Sequence, residues 1–174
     1  AGINDGQETM TLACNADKIS YGNSPYEKVS VSATAYGDTI SVNGNVKKIM
    51  GNGHKLDLAL LASAADDRLN TSIRWDNNQQ KSMKGQLNAE TKFVNTGNSK
   101  PDIDIDIKPS NVLINDTVWN IMPANVLYSG GDLAIKNFAI EHNRQHIKID
   151  GKATKSDNDS IIIDMQDVDV SSAS

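Results

Sequence analysis

No apolar run in this chain approaches the roughly 18 to 20 residues a transmembrane helix needs, which removes a helical membrane span from the readings. Cysteine is nearly absent. Cys14 is the single one, so no disulfide can close within the chain. Its place in Met10-Thr-Leu12-Ala-Cys14-Asn-Ala16, an alternating apolar series, reads as that of a small buried hydrophobe rather than a reactive thiol. Aromatics amount to only 5%, so any interior must be built of Ile, Leu, Val and Ala. Four prolines and twelve glycines in 174 residues exclude a collagen-like or low-complexity chain. Positive charge does not cluster. Lys and Arg number 17 against 22 acids, the net charge is −5, and no basic run interleaves with aromatics, so a nucleic-acid surface is not expected. The first residues, AGINDGQETM, have neither a basic patch nor an apolar core and form no signal peptide.

What the chain does have is alternation. Hydrophobic residues, 38% of the total, recur at every second position. Leu133 and Ile135 stand two apart, as do Phe138 and Ile140, and so do Ile147, Ile149, Gly151 and Ala153. That period belongs to a strand with one dry and one wet face. Earlier in the chain the same pattern marks Met10 to Ala16, Val29 to Ala35, Ile40 to Val46, Leu56 to Leu60, Leu69 to Trp75 and Met83 to Ala89. A slip near Asp17–Lys18 implies a bulge, because Ile19 and Tyr21 fall on odd positions after even ones. YGNSPY, YGD, GNGH and KSDNDS supply turns. A helix competes only at LALLASAADD, and the strict alternation of KLDLAL favours a strand there. A pattern with glycine on the apolar face recurs at Gly44, Gly85 and Gly151.

About a dozen strands separated by turns indicate an all-β chain. A sandwich or jelly-roll, a closed barrel, and an elongated antiparallel meander folded along its length all satisfy the pattern. Residues 1–174 read as one repeat-like segment of a larger protein, and the polar stretch 95–102, NTGNSKPD, is the one candidate internal boundary.

Catalytic constellations are missing. No G-x-S-x-G elbow or phosphate-cradling glycine loop is present, and the expected class is non-enzymatic, with no cofactor. His142 and His146 in EHNRQH would share a face within one strand or helix, yet a turn between two strands explains them better than a metal site. Asp102, Asp104 and Asp106, and separately Asp157-Asn158-Asp159, lack the glycine and distal Glu of a calcium loop and read as a solvated strand face and a turn. Asn70, Asn115 and Asn158 each begin a glycosylation triplet, as expected by accident in an Asn-rich chain.

The residues NDTVWNI at 115–121, Pro123, the YSGG turn and IKNFAIEHNRQHIKIDGKATKSDNDSI at 135–161 resemble the carboxy-terminal periplasmic β-repeat region of the TamB/AsmA-like family, in its Bacteroidetes-type form. The segments 21–44 and 69–77 are similar to the repeats of that family. The resemblance implies a U-shaped, taco-like sheet with an apolar groove, in a periplasmic region of a parent anchored in the inner membrane by a helix outside this sequence. It implies envelope biogenesis: phospholipid acyl chains carried toward the outer membrane, support of outer-membrane protein assembly with a barrel partner, or both. No active site carries over. The groove lining expected on that basis is Leu56, Leu58, Leu60, Ile103, Ile105, Ile107, Leu133, Ile135, Ile147, Ile149, Ile161 and Ile163, and open sheet edges would allow the fragment to dimerise. The competing expectation is a β-sandwich binding or adhesion module of a bacterial surface protein.

Overall fold

A computed structural model describes residues 9–51, 53–97, 101–156 and 159–168. Among them are twelve strands and no helix: β1 (Thr9–Tyr21), β2 (Ser24–Tyr36), β3 (Thr39–Ile49), β4 (Lys55–Ala65), β5 (Arg68–Asp76), β6 (Met83–Val94), β7 (Asp102–Ile114), β8 (Thr117–Ile121), β9 (Ala124–Ser129), β10 (Asp132–His142), β11 (Gln145–Ala153) and β12 (Ile161–Gln166). In the segment LALLASAADD the residues up to Ala65 are strand, as the alternation requires, and the two aspartates turn the chain into β5.

All twelve belong to one antiparallel sheet in which each strand pairs with its neighbour in sequence, except that β8 and β9 do not pair with each other and both lie between β7 and β10. β8 and β9 are two halves of one ribbon. β8 pairs the end of β7 through Ser110↔Ile121, and β9 pairs its start through Ile107↔Ala124. The break falls where Pro109 on β7 lies across from the Met122–Pro123 junction, two places where proline cannot donate to the ladder. The N–H of Met122 instead donates to the carbonyl of Ala139 at 2.9 Å. With no Greek-key crossover and no second sheet among the described residues, the jelly-roll and sandwich alternatives give way to a single meander.

Tight turns impose this order. Asp66 and Asp67, and likewise Asn115 and Asp116, hold positive φ at both central positions of two-residue loops, matching the twist of the flanking strands. The connection at 95–102, in part outside the described residues, joins β6 and β7, which pair from Val94↔Asp102 to Met83↔Ile114, so the sheet continues through it.

Three bulges interrupt the ladders. Val46 faces both Lys28 and Val29, Leu87 faces Pro109 and Ser110, and Asp150 faces Lys136 and Asn137. Lys28 has φ 52° and Asn137 φ 59°. Opposite Lys28 the β1–β2 register itself does not shift, running from Ala16↔Val29 to Lys18↔Glu27. Beyond the β2 bulge Ile19 pairs Tyr26, which pairs Lys48 on the side of Leu56, and this accounts for the slip at Asp17–Lys18.

No sealed core forms among the described residues. The buried hydrophobics are Val112, Ile121, Ala124 and Ala139, all at the β7–β10 splice around the two prolines. The accessible surface of 12168 Å² exceeds the roughly 8300 Å² expected of a globular monomer of this size. Cys14, expected inside, is exposed, because β1 is a sheet edge with nothing packed over it.

Candidate functional site

Residues directly opposite across antiparallel strands share a face, so the pairing registers sort the whole sheet into two sides. One cross-strand row runs Met10–Ala35–Ile40–Ala64–Leu69–Thr91–Ile105–Val126–Ile135–Gly151–Ile161, from edge to edge. A second on the same side runs Leu12–Ala33–Val42–Ala62–Thr71–Ala89–Ile107–Ala124. Ten inter-strand steps make the first row roughly 48 Å long.

All the aliphatics expected to line a groove fall on this one apolar side. Ile105, Ile135 and Ile161 lie in the first row, and Ile107 in the second. Ile103 and Leu133 meet through Tyr128, and Ile149 pairs Ile163. Ile147 pairs Ile140, Leu60 pairs Gly44 and Ile73, Leu58 pairs Val46 and Trp75, and Leu56 pairs Lys48. The side also includes residues that alternation alone ranked lower: Met10, Ile40, Val126 and Val112. It is largely uncovered, with Ile40 52% exposed and Ile163 62% exposed. Gly44, Gly85 and Gly151 sit on it as their recurring pattern requires, and Trp75 covers Gly85.

The opposite side is mostly hydrophilic, with scattered aliphatics such as Leu61, Leu113, Leu127 and Ile162, and one polar row crosses it from edge to edge: Asn15–Ser30–Asn45–Ala59–Arg74–Gln86–Asn111–Asn120–Glu141–His146–Gln166. Cross-strand charge pairs decorate it. Lys47 donates to both oxygens of Asp57 at 2.6 and 2.8 Å, and with help from Asn78 this holds the Asp57 carboxyl below its usual range. Asn125 donates to Asp104 at 2.6 Å and to Asp106 at 3.1 Å, bridging the aspartate ladder. That amide first, then Lys92, lowers the Asp106 pKa, and Asp106 in turn raises that of Lys92. Lys55 lowers the pKa of Glu27 in the same way. Depressions of about 750, 520 and 320 Å³ open on this side, lined by polar residues such as Asn45, Arg74, Ser63 and Asn88 together with apolar ones such as Leu61, Leu113 and Val118.

The two histidines of EHNRQH part company. His142 ends β10 and pairs Gln145 across the turn, which sends His146 to the other side of the sheet, opposite Glu141. His142 Nδ1 lies 2.7 Å from the Val118 carbonyl with its ring tilted against Trp119, while His146 Nε2 lies 3.0 Å from Asp164. They therefore do not share a face. Asp157 and Asn158, the proposed turn acids and the third glycosylation triplet, lie outside the described residues.

The protein is thus an open amphipathic β-meander, one side predominantly aliphatic and the other predominantly hydrophilic. No family model, no curated protein and no solved structure matches the chain.

Proposed function

We propose that the aliphatic side is one wall of an apolar trough that carries phospholipid acyl chains, in a non-enzymatic, periplasm-spanning envelope protein of the TamB/AsmA-like kind. The observation that carries this reading is the concentration of aliphatics on one largely uncovered face, the longer row running through every strand of the ladder but β8. Each methylene removed from water onto such a wall contributes about 0.8 kcal/mol, and the aliphatic rows impose no headgroup chemistry of their own. In the full-length protein the sheet curves into a U that closes the trough, an amino-terminal anchor holds it to the inner membrane, and an outer-membrane barrel assembly protein receives its far end. The edge strands β1 and β12 present unpaired backbone groups that continue the sheet or join a second copy.

Organic extraction of the protein purified from a bacterial host, followed by mass spectrometry, tests the reading. Co-purifying diacyl phospholipid at a defined ratio to protein is expected. Preparations free of lipid that also fail to take up a fluorescent acyl probe would overturn it.

A further inference from the structure

The acyl-chain reading leaves the hydrophilic side unused, and its depression of about 750 Å³ has the makings of a second site. Ala59 is the small side chain in the row Asn45–Ala59–Arg74–Gln86–Asn111, so the surface dips between longer neighbours. In a chain of net charge −5, this dip carries Lys28, Lys47, Arg74 and Lys84 against Asp57 and Asp76 only. Both acids are engaged. Asp57 holds Lys47 and accepts from Asn78 Nδ2 at 3.0 Å, and Asp76 accepts from the Asn78 backbone N–H at 2.7 Å.

Arg74 and Lys84 are placed differently. Among the described residues neither forms an ion pair with a carboxylate. Arg74 donates through Nε to Gln86 Oε1 at 3.1 Å, and Gln86 donates through Nε2 to Asn88 at 2.7 Å. That relay fixes the guanidinium by its inner nitrogen and leaves the two terminal amino groups for a ligand, the fork that suits phosphate. Lys84 pairs Asp76 and so stands diagonally across from Arg74, roughly 7–8 Å away at Cβ, a span that one tetrahedral anion bridges.

We propose that this depression binds a small soluble phosphate-bearing molecule, with Arg74 and Lys84 clamping the phosphate and Asn45, Gln86 and Asn111 hydrogen-bonding its remainder. A phospholipid whose tails lie on the aliphatic wall cannot place its headgroup here, because the sheet stands between the two. The site is therefore independent of the acyl-chain reading.

Titration of the labelled protein with glycerol 3-phosphate, followed by amide and arginine side-chain NMR, decides the matter. Saturable shifts centred on Ala59, Arg74 and Gln86 are expected, with affinity at least tenfold weaker in Arg74→Gln and in Lys84→Gln and unchanged in Lys152→Gln. Salt should weaken the wild-type shifts in step, a readout that needs no substitution. Unsaturable shifts spread over the surface lysines, affinity in either variant within twofold of wild type, or shifts undiminished by salt would overturn the proposal. Preferential binding of phosphatidylglycerol vesicles through the same residues would also overturn it, by making the site a membrane-surface contact.

Discussion

The indole of Trp75 lies across Gly85: a β-carbon on that glycine would stand 2.6 Å from Trp75 Cζ2 and 3.0 Å from the Asn111 carbonyl. The two residues are register partners, so the ring fills the space that the missing side chain leaves. Gly85→Val must push the ring off and strain the β6–β7 ladder, a loss of about 1–3 kcal/mol typical of overpacking. Urea unfolding followed by Trp fluorescence should show a lower midpoint and a shifted native emission. An unchanged midpoint with unchanged emission would mean that the ring does not rest there.

Ile105 sits mid-row between Thr91 and Val126, on a side with no second layer over it. In a sealed core, an aspartate there would be an unpaired buried charge and would unfold the chain. On this open wall Ile105→Asp should keep the β-sheet circular dichroism and cost the protein most of its acyl-probe binding, tenfold or more. Loss of fold would argue for a covered face, and retained binding with retained fold would argue against the trough.

Strand positions and the two-sided pattern were legible in the sequence because period two leaves a mark at every residue. The alternating aliphatics such as Leu56, Leu58, Leu60, Ile161 and Ile163 share a face for that reason. The break in parity near Asp17 was legible too, although the bulge itself lies on the facing strand, at Lys28 and Val29. The bulge at Asn137 was not, because Ile135 and Phe138 each continue a plausible local alternation and the extra residue hides between them. Cys14 was misplaced for a different reason: alternation gives a face, and burial depends on what covers that face. The turn expected between His142 and His146 is there, and by reversing the count it puts the two rings on opposite sides. The anion-accepting dip left no local signature, since its residues come from strands far apart in the chain and meet only through register.

Asn137 holds a left-handed φ of 59°, and its N–H donates to Asp150 at 2.7 Å. Asparagine tolerates that conformation and β-branched residues do not. Asn137→Val should therefore destabilise the sheet by about 1–3 kcal/mol, while Asn137→Gly should be nearly neutral. Paired denaturation midpoints check this. Equal losses in both variants would mean that the side chain, rather than the backbone geometry, matters there.

Acid and base should act on opposite members of the charge ladders. The carboxyls of Asp57 and Asp106 sit below their ordinary 3.8 and that of Glu27 below 4.5, so their contribution is complete above those values and is lost as pH falls through the lowered ones. Lys92 is raised above 10.5 by Asp106, so its contribution is complete below that value and disappears as pH climbs past the raised one. Denaturation midpoints should thus form a plateau through neutrality with a falling limb at each end. Asp57→Asn should flatten the acid limb. High salt should flatten both, because these groups are close to solvent. An acid limb unchanged in Asp57→Asn would remove the Lys47 pair as its source.

The edge at β12 is the last exposed liability. Ile162 and Ile163 are 64% and 62% exposed on a strand paired on one side only, and Asp164 is its single charge. Long, apolar, uncharged edges template strand addition, and a lysine blunts them. Sedimentation of the wild-type protein should reveal concentration-dependent association that Ile162→Lys, on the same edge but on the side away from the aliphatic face, reduces, with the internal sheet unaffected. Introducing lysine at Ala134, on a strand paired along both sides, should leave association as it is. If both variants associate like the wild type, contact runs through the aliphatic face rather than the edge, and that face would then be covered by a second copy before any lipid reached it.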